Sequence, residues 1–123
     1  MQVLLIDDDS AVRKVLSRML QRAGHQVIEA CNGLEGIARL RTNPVDLVLT
    51  DITMPAMNGI EFIKAARQLC PSLRVIAMSG GGRTTNADYL QQAGELGAIG
   101  TLHKPFTSAE LQTLIDACCA AEA

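Results

Sequence analysis

Aromatic residues are nearly missing from this chain: it has no Trp, one Tyr (Tyr89) and two Phe. With so few rings to stack on a flavin or a base, a flavodoxin-like nucleotide-binding module is disfavoured. Nor does a GK[ST] or a GxGxxG helix entry accompany Gly80-Gly81-Gly82, so the glycine run is not a phosphate loop. No apolar run approaches the roughly 18 residues of a membrane span, and Met1 leads straight into Gln2-Val3-Leu4-Leu5-Ile6-Asp7 without a basic leader. These absences predict a cytoplasmic protein with no membrane partner. Cys31, Cys70, Cys118 and Cys119 form no CxxC, and His25 lies far from His103, which argues against a zinc site or a disulfide framework. Charge of one sign is also scarce. The net charge of −2 becomes +2 once Asp7, Asp8, Asp9 and Asp51 are set aside, so negative charge is concentrated locally and no direct nucleic-acid partner is expected.

What is present is apolar. Hydrophobic residues make up 48% of the 123 and charged residues 20%, which predicts one globular domain over 1–123. The most telling stretch runs from Val45 to Pro55. Five of the six residues Val45 to Thr50 are apolar or β-branched, as in a strand covered on both faces, and the run stops at Asp51. Val3-Leu4-Leu5-Ile6 is a similar run ended by Asp7-Asp8-Asp9, and Arg74 to Met78 is one closed by Ser79. His25 to Ala30 is a weaker strand nearer an edge, and Ala98 to His103 a fifth, followed by Lys104-Pro105-Phe106.

Helical periodicity fills the intervals. Val12, Val15, Leu16, Met19, Leu20 and Ala23 form one stripe that Gly24 ends, while Arg13, Lys14, Arg18 and Arg22 read as a solvated face. Asn32 with Glu35, Asn58 with Glu61, and Thr107 with Glu110 are spaced as capping boxes. They open helices along Leu34, Ile37 and Leu40, along Phe62, Ile63 and Ala66, and along Leu111, Leu114 and Ile115. A weaker helix is expected over Asn86 to Leu96. Five strand–helix alternations predict an α/β fold, a (βα)5 doubly wound parallel sheet.

In such a sheet the carboxyl ends of the strands share one edge, where ligands collect. Asp7, Asp8, Asp51, Ser79 and Lys104 all follow strands, so they should converge. Clustered carboxylates repel unless a cation compensates, and an oxygen-only set with waters suits Mg²⁺. Lys104 adds a positive charge and Ser79 a hydroxyl. The set describes a place where a phosphoryl group can be held against a carboxylate nucleophile, Asp51.

Leu4 to Asp9, Leu47 to Gly59, Val75 to Gly80 and His103 to Phe106 together resemble the receiver domain of two-component response regulators, across essentially the whole chain. The resemblance implies a flavodoxin-like sheet of strand order 2-1-3-4-5 and phosphoryl transfer to Asp51 from a sensor histidine kinase or a histidine phosphotransfer protein. Mg²⁺ would be held by Asp7, Asp8, Asp51 and the carbonyl of Thr53. Ser79, Gly80 and Lys104 would meet the phosphoryl oxygens, with Lys104-Pro105 as a cis peptide. Ala11, Lys14, Val15 and Arg18 would contact the kinase. Thr101 stands where many members carry an aromatic switch residue, a departure from the pattern. The whole reads as a stand-alone receiver that signals by binding a downstream protein and catalyses only its own phosphorylation and dephosphorylation. Two alternatives remain at this stage: a phosphorelay or phosphate-sink receiver, and a Mg²⁺-dependent phosphatase with Asp7 as nucleophile.

Overall fold

The computed structural model describes residues 1–51, 59–79, 100–103 and 106–120. Their order is β1 (Gln2–Ile6), α1 (Ser10–Arg22), β2 (Gln26–Ala30), α2 (Gly33–Thr42), β3 (Leu47–Asp51), α3 (Gly59–Leu69), β4 (Arg74–Ser79), β5 (Gly100–His103) and a C-terminal helix, α4 (Ser108–Ala120). All neighbouring strands are parallel, as the strand–helix alternation predicts, in the order β2-β1-β3-β4-β5 that the receiver resemblance implies. The helix expected over 86–96 lies outside the described residues. Among the described residues no helix is long and apolar enough to cross a membrane.

The central strands are apolar at successive positions because helices cover both faces. Leu4, Ile6, Val48, Val75 and Ala77 pack with Leu40 of α2 and with Phe62, Ile63 and Ala66 of α3. Their neighbours Val3, Leu5, Leu47, Leu49, Ile76 and Met78 face the other way, onto Leu16 and Leu20 of α1 and Leu111 and Ile115 of α4. Each fully buried side chain of this size contributes roughly 1.5–3 kcal/mol, and the two clusters form the core on either face of the sheet. β2, with exposed Gln26 and Glu29, is an edge strand as its composition predicts.

The helix ends follow from specific side chains. Asp9 caps α1, its Oδ1 accepting from the amides of Ala11 (3.0 Å) and Val12 (3.2 Å). Gly24, at φ +93°, ends that helix, with its amide donating to Gln21 O and that of His25 to Leu20 O. Asn32 caps α2 through Glu35 N at 2.8 Å, but Glu35 reaches back to Cys31 N rather than to Asn32 itself. Thr107 and Glu110 form the reciprocal box at α4. Asn58, expected to cap α3, lies outside the described residues.

Two stripe positions are corrected. Val15 is 54% exposed and Leu34 57% exposed, although both fit the helical period. On α2 the inward face is formed instead by Gly36 and Leu40, with Ile37 half-buried beside them. A Cβ at Gly36 would come within 2.6 Å of Ile6 Cδ1 and 2.9 Å of Phe62 Cε1, so the helix sits so close that even a methyl group there would force its neighbours to shift.

Candidate functional site

Ile6 and Thr50 are partners in the parallel register of β1 and β3. The next residue on each strand is an aspartate, Asp7 and Asp51. Alternation along a strand sets both in the rows of Val3-Leu5 and Leu47-Leu49, on the side covered by α1 and α4. Asp8 follows in the turn to α1. One carboxylate oxygen from each of Asp7, Asp8 and Asp51 lies within 4.8 Å of the others. Asp7 is fully buried, Asp51 is 6% exposed, and Asp8 is exposed, so the cluster is open on one side.

At such separations each charge pair costs roughly 1 kcal/mol in bulk water and about 4 kcal/mol at the effective dielectric of a protein surface. Three together call for a compensating cation. Oxygen-only donors with no His or Cys among them fit a hard divalent ion that keeps several waters, which is the preference of Mg²⁺.

The turn bearing two of these acids is held at several points. Asp7 N donates to Ala30 O (3.2 Å) and Asp9 N to Asp7 Oδ1 (2.9 Å). Arg13 Nη1 donates to the carbonyl of Asp7 at 2.7 Å, while its Nε pairs with Glu29 Oε1 at 3.0 Å. Under β3, the buried Thr50 hydroxyl donates to Asp51 O at 2.9 Å. Arg13 is the residue that sequence reasoning misread as part of a solvated face: its side chain is only 19% exposed. A pair between such a side chain and the exposed Glu29 contributes less than about 1 kcal/mol to stability, so its importance lies in what it positions. The available signal was its place one turn into α1, since helical side chains lean toward the N-terminus and so toward the Asp7 turn.

Asp7, Asp8 and Asp51 are therefore brought together as expected, and Asp9 serves as a cap. Ser79 ends β4 opposite His103, the residue before Lys104, and Thr101 lies opposite Ala77. The side chains of Ser79 and Thr101, and all of Thr53, Gly80, Lys104 and Pro105, lie outside the described residues. Ala11, Lys14, Val15 and Arg18 are all exposed on α1.

Residues 3–116 match the response regulator receiver domain. This chain belongs to that family. It is a phosphorylatable receiver, similar over 114 residues to sporulation initiation phosphotransferase F of Bacillus subtilis, at 32% identity across 93% of this chain and 90% of that protein. Similarity to the DNA-binding transcriptional regulator NtrC of Azospirillum brasilense is 35% over 114 residues, but this chain spans only 23% of that protein's length. Among solved structures, a response regulator receiver domain protein from Clostridium thermocellum superposes with a TM-score of 0.88 at 28% identity, covering 98% of this chain and 95% of that one. The receiver fold accounts for the parallel sheet and for the acidic cluster at its carboxyl edge.

Proposed function

We propose that Asp51 is the phosphoryl acceptor of a receiver that signals by protein–protein contact, and that Asp7, Asp8 and Asp51, with the carbonyl of Thr53, hold Mg²⁺. The single observation that carries this reading is the carboxylate cluster within 4.8 Å at the carboxyl edge of a parallel sheet. A carboxylate oxygen of Asp51 attacks the phosphorus of a phosphohistidine on a sensor kinase or phosphotransfer protein. The P–O bond forms as the P–N bond breaks, and the electron pair of that bond returns to the imidazole nitrogen. Bound Mg²⁺ supplies positive charge against the oxygens of the transferring group.

The chain's own residues do the rest. Burial of Asp51 keeps its carboxylate poorly hydrated and fixed by β3, so little reorganisation precedes attack. Ser79 is assigned a hydroxyl contact to the phosphoryl oxygens, Gly80 the adjoining main chain, and Lys104 the counter-charge. Support comes from register: β4 ends at Ser79 opposite His103, the last residue of β5, and Met78 lies opposite Asp51, so the ends of β3, β4 and β5 share one edge of the sheet. Thr101 takes the switch position with a small side chain. The exposed residues Ala11, Lys14, Val15 and Arg18 of α1 form the face offered to the phosphodonor protein. We assign the protein to the cytoplasm and to a downstream protein partner, without direct nucleic-acid contact.

Incubation with acetyl phosphate, with and without Mg²⁺, followed by intact mass measurement tests the assignment. One added phosphoryl group is expected, dependent on Mg²⁺ and lost in Asp51→Ala. Steady hydrolysis of external phosphomonoesters that survives Asp51→Asn would instead favour a phosphatase using Asp7.

A further inference from the structure

We propose that Arg13 is a positioning residue for the acidic site: its guanidinium fixes the peptide between Asp7 and Asp8, and so the spacing of both carboxylates against Asp51. This rests on the reading that the cluster holds Mg²⁺.

Only Asp7, Asp8 and Asp9 separate the end of β1 from the start of α1. The amide of Asp7 is tied to Ala30 O and its Oδ1 to Asp9 N. Its carbonyl, which sets the plane of the peptide leading to Asp8, is held by Arg13 Nη1 at 2.7 Å. That donor is itself anchored. Arg13 Nε pairs at 3.0 Å with Glu29, and Glu29 lies opposite Leu5 in the β1–β2 register. The guanidinium therefore ties the ligand-bearing turn to α1 on one side and β2 on the other. Its planar fork is suited to this, because two separate N–H groups serve two acceptors at once. Asp8, exposed and following the clamped peptide, is the carboxylate whose aim depends most on that plane.

Charge and geometry make opposite forecasts. A cation beside three carboxylates weakens the binding of another cation, so if Arg13 acted through charge, removing it would tighten Mg²⁺ binding. The Glu29 carboxylate offsets that charge. What remains is the tether, and its removal loosens the turn and weakens Mg²⁺ binding.

The test is a calorimetric Mg²⁺ titration of the full unphosphorylated chain, with Arg13→Gln, Arg13→Lys and Asp7→Asn alongside wild type. Arg13→Gln should bind Mg²⁺ about tenfold more weakly, the lower end of the loss seen when groups behind metal ligands are removed. Its melting temperature without Mg²⁺ should stay within a few degrees of wild type. Arg13→Lys keeps the charge and a single donor nitrogen but not the fork, and should fall between the two; it also carries the test if the glutamine variant does not fold. Equal or tighter binding by Arg13→Gln, or wild-type binding by Arg13→Lys, overturns the clamp while leaving the metal site intact. If wild type binds no better than Asp7→Asn, the metal site falls, and the clamp with it.

Discussion

Arg13 and Asp7 are joined by a 2.7 Å hydrogen bond from guanidinium to main-chain carbonyl, six residues apart, so the first turn of α1 grips the strand end that precedes it. The turn is consequently held on the β1 side, and Asp7 and Asp51 come together because they are the next residues after a paired Ile6 and Thr50.

Repulsion among these carboxylates is expected to show in thermal stability. Without Mg²⁺, replacing Asp51 by Asn should raise the melting temperature by about 3–6 °C, the shift expected for relief of roughly 1 kcal/mol in a domain of this size. Adding Mg²⁺ should raise the wild-type midpoint and move that of Asp51→Asn much less. Identical midpoints for the two proteins in metal-free buffer would show that the carboxylates do not repel.

The exposed face of α1 can be separated from the chemistry. Val15 is 54% exposed, so Val15→Asp should change stability by no more than about 0.5 kcal/mol. Phosphorylation by a histidine kinase should slow about tenfold or more, while phosphorylation by acetyl phosphate proceeds at the wild-type rate. Equal slowing with both donors would place the defect at Asp51 and remove α1 from the docking surface.

Gly36→Ala sets two known effects against each other. Alanine favours a helix over glycine by about 1 kcal/mol, but its Cβ would press on Ile6 and Phe62 at 2.6 and 2.9 Å, and overpacking costs about 1–3 kcal/mol. Both neighbours are fully buried, which leaves them little room to yield, so a lower urea midpoint is expected. A higher midpoint would mean that α2 can move off the sheet.

Gly24 is a different case. Nothing lies within 4 Å of where its Cβ would be, so the cost of Gly24→Ala comes from φ +93° alone, about 1–2 kcal/mol. Gly24→Asn should cost less, since asparagine tolerates this region, and equal urea midpoints for the two variants would contradict a backbone origin.

The strands were legible because burial on both faces leaves an uninterrupted apolar run, as in Val3 to Ile6 and Leu47 to Leu49. The acids were legible because each run ends on one. Helix orientation was less so. The period of α1 and α2 admits Val15 and Leu34 as readily as their neighbours, and only packing decides which side faces in: Leu16 and Leu20 on α1, Gly36 against Ile6 and Phe62 on α2. For Arg13 the place on its own helix points toward the Asp7 turn, but the anchor Glu29 is sixteen residues away on another strand and leaves no mark on the period of α1.

Glu29 has one more consequence, because β2 is an edge strand of the sheet. An incoming strand from another molecule would have to lie along Gln26 and Glu29, both exposed, and in a pair of identical edges the carboxylates would be drawn toward each other. The residue that anchors Arg13 thus also discourages edge-to-edge polymerisation, and neutralising it would cost solubility as well as order in the neighbouring turn.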